Sequence, residues 1–340
     1  MMTKTQTLVS PAANLGGAGS STGMTRYRMI VAWHALAPFL VFASMLLIVG
    51  ILNSNYLKPL GISIVTASAA PILLVALGQA MVLNIGSIDL SNAAVSMVAA
   101  ILVAMWLPAM GVSGILLVLA VTVAIGILNG AIVTYAQVPS FALTLGTLGL
   151  LQTAALVISD SQTIYVSENR EVIGAFYSNS VLFSPLTFWI GVLVALIYWA
   201  VLRFTRLGLG MTSIGKNERA ATLSAVPTNR IKIITFAISG LSGGLAGLAI
   251  VAQAGSASAS GLGSNLLLPG IAAALVGGTS ISGGQTNPIN VVFGALTVAF
   301  VPIAIQAMGF GAEAQSLVYG LFIITVVALT TSRVRGAVIK

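Results

Sequence analysis

The sequence predicts an all-α, polytopic transmembrane helical bundle, and three observations lead to this fold class. Of the 340 residues, 58% are hydrophobic and only 6% are charged, whereas about a quarter of the residues are charged in an ordinary soluble domain. The mean hydropathy is +1.06. The apolar residues form long runs, not the short alternating segments of a β-barrel. This composition excludes a water-soluble globule and a disordered chain, which would be polar and rich in charge.

The individual elements follow from the thickness of the bilayer, whose ~30 Å hydrocarbon layer needs a helix of about 20 apolar residues. A polar segment rich in Ser, Thr and Gly, residues 1–25, is predicted to be a disordered cytoplasmic tail, and residues 26–340 to form one transmembrane domain. Ten candidate spans follow in order: 33–52, 61–84, 91–107, 112–135, 139–158, 186–202, 232–252, 266–282, 288–308 and 314–332. The run at 266–282 is short and contains Gly277-Gly278, with Gly283-Gly284 just beyond it, so we expect a broken or re-entrant helix that faces a cavity.

Basic residues predict the orientation in the membrane. With ten crossings and both termini in the cytoplasm, 12 of the 14 Lys and Arg residues lie inside, and only Lys58 and Arg170 lie outside. This is the bias that the positive-inside rule describes. It explains the net charge of +8 without a nucleic-acid partner. The two longest connections are then a periplasmic loop at 159–185 and a cytoplasmic loop at 203–231.

The residues that metal binding, catalysis and ATP binding require are missing from the sequence. The chain has no Cys and one His, His34, so neither a thiolate metal site nor a Ser-His-Asp triad is expected. No carboxylate pair lies in the spans, and the chain is not expected to be an enzyme. The segment Gly210–Asn217 nearly matches a phosphate-binding loop. It ends in Asn217 where the loop needs Ser or Thr, and it follows a span where the loop needs a strand, so this chain is not expected to bind ATP.

Three blocks of sequence carry a specific resemblance. Residues 78–91 read G-Q-A-M-V-L-N-I-G-S-I-D-L-S, residues 215–232 include G-K-N-E-R-A-A-T-L-S-A-V, and residues 275–284 read L-V-G-G-T-S-I-S-G-G. In this order, from about residue 60 to the C-terminus, they resemble the ribose-type sugar permeases of bacterial ABC importers. The family blocks run G-x-x-x-V-x-x-x-G-G-I-D-L-S, G-x-N-x-x-A-x-x-S-G-I and L-G-G-T-S-x-x-G-G. Ser87 and Ala225 stand where the family has Gly, which brings into question the turn at Ser87 and the helix end at Ala225.

The resemblance implies a permease subunit that forms the inner-membrane pathway for a sugar or sugar-like solute and carries no cofactor of its own. It implies four kinds of partner: an ABC ATP-binding subunit that holds ATP and Mg²⁺, a periplasmic sugar-binding protein, a second permease subunit and membrane lipid. It leaves open which sugar is carried and whether the two permease subunits are identical. Coupling to the ATPase is assigned to Gly215, Asn217, Glu218, Ala221, Ser224 and Ala225. Residues 218–223 are predicted to form a short helix, with Pro227 as the stop.

Polar residues in apolar surroundings are the candidates for the translocation pathway: Gln79, Asn84, Ser87, Asp89, Ser91, Thr279 and Ser280. Asp89 is the acid nearest membrane depth, where an ionisable residue is a functional hypothesis by default. Its position also suits the N-terminus of the next helix, so a capping role and a solute contact both stay open. Further amides in apolar runs, among them Gln152, Gln253 and Gln306, suit sugar hydroxyls because they both donate and accept, although hydrogen bonding between helices is the alternative.

A second function class is a secondary transporter driven by protons or sodium, with Asp89 as its ion site. One candidate acid, the lack of a His relay and the basic loop at 203–231 argue against it. Small-residue patterns at Gly126, Gly130, Gly240 and Gly244 are predicted to serve close helix packing.

Overall fold

A computed structural model of the chain describes residues 20–260, 265–311 and 313–330. It is mostly helical (78%) and divides into two units, residues 1–36 and 37–340. The described part of the first unit, residues 20–36, is helical, so the end of the segment predicted as a tail belongs to a helix. The rest of that tail, residues 1–19, lies outside the described residues.

Thirteen helices are found in the described part of the chain: α1 Ser20–Leu52, α2 Pro59–Asn84, α3 Asn92–Met110, α4 Val112–Tyr135, α5 Ser140–Ile158, α6 Arg170–Ser178, α7 Leu186–Phe204, α8 Arg206–Lys216, α9 Glu218–Leu223, α10 Thr228–Ala254, α11 Leu267–Val276, α12 Pro288–Ala307 and α13 Ala314–Thr330. A 3₁₀ turn covers Ser54–Leu57. Four two-residue strands form two antiparallel pairs. Strand β1 (Ile164–Tyr165) pairs with β4 (Ser256–Ala257), and β2 (Ser180–Val181) pairs with β3 (Ser184–Pro185).

Seven of the described helices are long and apolar enough to cross a membrane, namely α2, α3, α4, α5, α7, α10 and α12. Each agrees within a few residues with a predicted span. The other three predicted spans correspond to shorter apolar stretches, Leu36–Leu52, Leu267–Val276 and Ala314–Thr325. The predicted span 266–282 is not one continuous helix: α11 ends at Val276, and Gly278 adopts a positive φ of 84° that closes it. The architecture is therefore a polytopic helical bundle with seven full-length spans.

Helices α2, α3 and α10 form the centre of the bundle, where α10 packs against α2, α3 and α4. Close approach of α4 and α10 depends on Gly240, because a Cβ there would lie 2.2 Å from the Thr122 carbonyl oxygen. This confirms the predicted packing role of the glycine pattern. Helix α5 lies at the periphery: 11% of its most apolar window is buried, against 72% for α2.

Contacts between connections define two opposite ends of the bundle. At the α9 end, the Gly284 amide donates to the carbonyl of Asn84, the last residue of α2. At the α6 end, the Asn169 side chain donates to the carbonyl of Leu107 near the end of α3, and β1 pairs with β4 just after α10. Because α3 runs from one end to the other, the 203–231 and 159–185 connections lie at opposite ends, as the predicted topology requires.

Candidate functional site

The three blocks that resemble the sugar permeases meet at the α9 end. The Asn84 carbonyl accepts the Gly284 amide at 2.9 Å, and Gly215 of α8 packs directly on that contact. A Cβ at Gly215 would lie 1.9 Å from the Asn84 carbonyl oxygen and 2.3 Å from the Gly284 nitrogen. We call Asn84, Gly86, Gly215, Gly283 and Gly284 the coupling junction. Gly215, one of the residues predicted to couple the chain to the ATPase, packs inside the protein and joins α8 to the end of α2.

Helix α9 forms where it was predicted, at Glu218–Leu223. The Asn217 side chain caps its N-terminus by accepting the Ala220 amide at 3.0 Å. Glu218 forms an ion pair with Lys232 in the first turns of α10. Ala221 lies on the buried side of the helix, whereas Leu223 is 82% exposed. The helix is therefore held at its start by a cap and an ion pair and presents its far end to the surroundings.

The C-terminus of α9 is a Schellman motif closed by an alanine. The Val226 amide donates to the Ala221 carbonyl, and the Ala225 amide donates to the Thr222 carbonyl, each at 3.1 Å. Ala225 has a φ of +59°, the left-handed conformation that favours glycine. Ser224 is the C-cap residue. The departure from the family pattern at Ala225 thus falls on the residue where a glycine removes backbone strain.

The other departure from the family pattern, Ser87 in place of Gly, causes no backbone strain. Helix α2 ends in its own Schellman motif, in which the Ser87 amide donates to the Val82 carbonyl at 3.2 Å and Gly86 takes the positive φ of 74°. Ser87 itself does not have a positive φ. The turn therefore needs only the first glycine of the family's pair, and the Ser87 side chain is free to face a cavity.

Helix α8 was missed from the sequence, and it contains most of the segment that resembles a phosphate-binding loop. The Thr205 hydroxyl caps it by accepting the Gly208 amide at 3.2 Å. Leu207, Met211 and Ile214 repeat at the spacing of one helix face, and this periodicity together with the Thr cap could have identified the helix.

Asp89 lies at the centre of a buried hydrogen-bond network and is 2% exposed. Its Oδ1 accepts from the amide and the hydroxyl of Ser91 at 3.0 and 2.5 Å, and its Oδ2 accepts from the Ser239 hydroxyl of α10 at 2.7 Å. Ser239 Oγ in turn accepts from the Asn92 amide group at 2.5 Å. Burial raises the pKa of the Asp89 carboxyl above its ordinary value, and the hydrogen bonds from Ser91 and Ser239 oppose that rise.

The same network reaches α4 and α5. The Asn129 side chain of α4 donates to Ser91 Oγ at 3.0 Å and accepts from the Thr147 hydroxyl of α5 at 2.9 Å. Backbone groups of the loop are held as well, because the Ile88 amide donates to Ser140 Oγ and the Leu90 amide to Thr144 Oγ1, both at 3.0 Å. Residues 85–91, which we call the Asp89 loop, are thus bonded to three different helices.

A cavity of about 610 Å³ lies between α2, α3, α5, α10, α11 and α13. Its polar lining consists of amides and hydroxyls, from Ser68, Gln152, Gln253, Asn265, Gln315, Ser316 and Tyr319. Within the described residues no charged side chain lines this amide cavity, and none of these seven side chains makes a hydrogen bond. Their donors and acceptors are therefore free for a ligand.

A second cavity, of about 550 Å³, lies at the α9 end and is lined by Ser87, Thr134, Gln137 and Ser140, together with the Glu218–Lys232 pair. Thr134 Oγ1 is buried and has no hydrogen-bond partner. Helix α5 lines both cavities, the amide cavity through Leu148 and Gln152 and the α9-end cavity through Ser140 and Phe141. Thr144 and the Asp89 loop that it bonds occupy the level between them.

The predicted pathway residues are distributed unevenly over this geometry. Gln79 is buried in α2, and Asn84 belongs to the coupling junction with a 3.4 Å hydrogen bond to Thr212. Thr279 pairs with the Thr286 hydroxyl at 2.7 Å, and Ser280 pairs with that of Ser282 at 2.8 Å. Ser87 lines the α9-end cavity, whereas none of the seven lines the amide cavity.

The amide cavity was found from the sequence only in part, through Gln152 and Gln253 in the wider set of intramembrane amides. Asn265, Gln315 and Ser316 were missed because they lie at or just before helix starts. At such positions polar residues are ordinary, so no local signal separates them from solvent-facing caps.

Similarity to known proteins gives the family of the chain. Residues 61–327 match the family model described as a branched-chain amino acid transport system / permease component. The chain belongs to this permease family.

Individual relatives are import permeases. The permease is 30% identical to the ribose import permease protein of Haemophilus influenzae over 85% of this chain and 90% of the relative. It is 32% identical to the galactofuranose transporter permease protein of Escherichia coli over 78% of both chains. It is 31% identical to the xylose/arabinose import permease protein of Sulfolobus acidocaldarius over 82% of this chain and 79% of the relative. No solved structure gives a significant match.

The permease is accordingly a multi-pass membrane protein, a transport component of an ABC importer and not an enzyme. The comparisons support this class and give no support to the ion-coupled carrier considered from the sequence. Membership also implies, in general terms, an ATP-binding and a substrate-binding partner.

Proposed function

We propose that the permease conducts a neutral, polyhydroxylated solute, a sugar or a sugar-like polyol, across the bacterial inner membrane. The observation that carries this proposal is the amide cavity. Its volume of about 610 Å³ falls within the range of small-molecule sites. Seven uncharged side chains without partners offer it both donors and acceptors, which matches a ring of hydroxyls that also donate and accept. The names of the relatives, which include ribose and xylose/arabinose permeases, support the same class.

The proposed topology has ten crossings, with both termini and the α9 end in the cytoplasm. It counts α11 as a broken crossing that the loop at 277–287 completes, as discontinuous helices do in other transporters. The distribution of 12 basic residues inside and 2 outside supports it. So does the location of the 203–231 and 159–185 connections at opposite ends of the bundle. A periplasmic sugar-binding protein then delivers the solute at the α6 end, close to Gln253 and Asn265.

Energy enters at the α9 end, where we assign helix α9 as the segment that docks on the ATP-binding subunit. The helix exposes Leu223 beside Arg219, at a cleft of about 840 Å³ that Lys216, Asn217 and Ser282 also line. An exposed leucine with a basic rim suits insertion of a short helix into a partner's groove. ATP and Mg²⁺ belong to that partner. Motion of α9 reaches α10 through the Glu218–Lys232 pair and reaches α2 through the coupling junction.

The Asp89 loop is proposed as the closed barrier of the pathway. The solute in the amide cavity rests near the first turn of α3, at Ala93 and Met97, and the α9-end cavity begins at Ser87 and Ile88. Residues 89–92 lie between the two. Opening inward therefore requires the loop to leave Thr144 on α5 or Ser239 on α10, and such discrete repacking is how helical transporters alternate access.

A second permease subunit is proposed to cover α5. This span is the least buried of the seven, and at Gly146 and Gly149 an added Cβ would have no neighbour within 4 Å. Small residues on an open face allow a second helix to approach closely. Because α5 lines both cavities, that subunit would also complete the wall of the pathway.

The test of the solute class is ATP-driven uptake in vesicles that contain the permease, its ATP-binding subunit and its binding protein, with pentoses, hexoses, polyols and amino acids as candidate solutes. Gln253→Leu removes the two N–H donors and the carbonyl acceptor of one amide from the amide cavity. We expect it to lower uptake of the transported sugar about tenfold, because an unpaired hydroxyl costs about 1–3 kcal/mol. Gln306→Leu is the control, since Gln306 does not line the cavity. Equal uptake by the two variants, or transport of amino acids alone, would contradict the proposal.

A further inference from the structure

The β2–β3 hairpin at the α6 end has an unusual tip. Its register pairs Ser180 with Pro185 and Val181 with Ser184, so the turn consists of Leu182 and Phe183 alone. Both have positive φ, 50° and 64°, as a type I′ turn requires. Such turns favour Asn-Gly, and each residue with a Cβ in this conformation costs about 1–2 kcal/mol.

The same tip is apolar and uncovered. Val181 is 49% exposed, Leu182 74% and Phe183 56%. A strained turn that presents a leucine and a phenylalanine to water is unfavourable on both counts, so the surroundings that stabilise it must be apolar. The sequence agrees, because no charged residue occurs between Glu171 and Arg203.

The position of the hairpin shows what those surroundings are. The Trp189 indole N–H, in the first turn of α7, donates to the Val181 carbonyl at 2.9 Å, so the hairpin lies against that side of the helix. Leu193 and Ile197 follow Trp189 at intervals of four residues and thus share its face. Both are exposed on a helix long enough to span the bilayer, so this face meets lipid.

We infer that the hairpin tip, Val181–Phe183, inserts into the lipid interface at the α6 end and anchors the connection between α6 and α7 to the bilayer surface. The occupant of this face is lipid, not a protein, because the tip continues the lipid-facing side of α7 and carries no charge to orient a soluble partner. Trp189 fits the aromatic belt that marks the membrane–water boundary. The inference depends on the membrane location of the chain and not on the identity of its solute.

The test uses the natural lack of cysteine. Leu182→Cys and, as control, Ser167→Cys in the exposed loop before α6 are each labelled with the environment-sensitive fluorophore NBD in the full-length protein, reconstituted in vesicles of phosphatidylethanolamine and phosphatidylglycerol. We expect the label at 182 to emit at shorter wavelength, to be quenched by lipids spin-labelled near the headgroup and to be protected from aqueous iodide. The label at 167 should show the opposite behaviour. Iodide quenching at both positions, or protection at 182 only after the binding protein is added, would overturn the inference.

A second comparison separates insertion from folding. The reporter is placed at Val181→Cys, alone and together with Leu182→Asn and Phe183→Gly, the pair that a type I′ turn prefers. The turn should stay formed in the triple variant, whereas its label should lose lipid quenching and become accessible to iodide. Unchanged lipid quenching would show that Leu182 and Phe183 do not drive insertion. Uptake by the labelled proteins is measured in parallel, so failure of the anchor is distinct from failure of transport.

Discussion

At the scale of single residues, the contacts of Asp89 favour the structural one of the two roles that the sequence left open. Its two oxygens accept three hydrogen bonds, from Ser91 and Ser239, and no oxygen reaches either cavity. A buried carboxylate with this many donors holds its loop in one place. In the proposed mechanism Asp89 fixes the barrier between the cavities, and the geometry does not favour direct contact with the solute.

Asp89→Asn tests this role without a change of volume. The new amide group leaves the Ser239 hydroxyl without its acceptor and faces an oxygen that already accepts from Asn92. We expect the protein to fold with a loss of stability of about 1–3 kcal/mol and uptake to fall. Thermal unfolding in detergent and vesicle uptake measure the two effects. Asp160→Asn, an exposed residue at the α6 end, is the matched control. Full uptake by Asp89→Asn would remove Asp89 from the mechanism.

At Ala225, in contrast to Asp89, a substitution is expected to increase the stability of the protein. Because its φ is +59°, Ala225→Gly relieves strain at the end of α9 and should stabilise the protein by up to about 1 kcal/mol. Ala220→Gly, inside the same helix, is the control and should destabilise it by about 1 kcal/mol. Thermal unfolding of the two variants under identical conditions checks both signs. A lower melting temperature for Ala225→Gly would contradict the assignment of the Schellman motif.

At the scale of elements, α9 is fixed to α10 by the Glu218–Lys232 pair. Glu218 is half exposed, so the pair contributes at most about 1 kcal/mol to stability. Its importance lies in position, since it joins the proposed docking helix to a central span. The effect of breaking it should therefore be seen in coupling and hardly at all in folding.

Glu218→Lys should leave the melting temperature within a degree or two, because surface substitutions change stability little. It should lower the uptake of solute per ATP hydrolysed, because α9 then moves without α10. The reversed pair, Glu218→Lys with Lys232→Glu, restores the attraction and should recover much of the coupling. ATP hydrolysis and uptake measured on the same vesicles give the ratio. Equal ratios in the wild type and in the single variant would show that force does not pass through this pair.

Most of the long helices, but not every shorter element, could be predicted from the sequence. Long apolar runs identified all seven full-length spans within a few residues, because apolar length is a strong, local signal. The six residues of α9 were predicted from an acid at the start and a proline beyond the end. Helix α8 and the hairpin were missed. Helix α8 contains several glycines, which are unfavourable in helices and hid its periodic pattern. The hairpin has Leu-Phe at the two turn positions, where a type I′ turn favours Asn-Gly.

The site was predicted less completely than the fold, for a physical reason. The coupling junction and the Asp89 network join residues more than a hundred positions apart, such as Asn84 with Gly284 and Asp89 with Ser239. A sequence pattern marks each half and cannot show that the halves meet. The amide cavity is lined by residues from six helices, and no local sequence pattern marks any one of these residues as part of a cavity.

At the scale of the whole molecule, the two cavities, the barrier between them and α9 form one series from the α6 end to the α9 end. The amide cavity holds free donors and acceptors, the Asp89 loop lies between the two cavities, and the α9-end cavity lies beside the Glu218–Lys232 pair. In the proposed mechanism the barrier therefore lies close to the helix that docks on the ATP-binding subunit. The driving energy of the proposed cycle comes from the ATP-binding partner that membership of the family implies.

The most direct measurement is solute uptake into sealed vesicles that contain the permease with its ATP-binding subunit and binding protein. We expect uptake of a sugar that requires ATP and both partners, that continues in the presence of proton and sodium ionophores, and that falls in Gln253→Leu. Uptake driven by an ion gradient, with the permease alone and no ATP, would contradict the account.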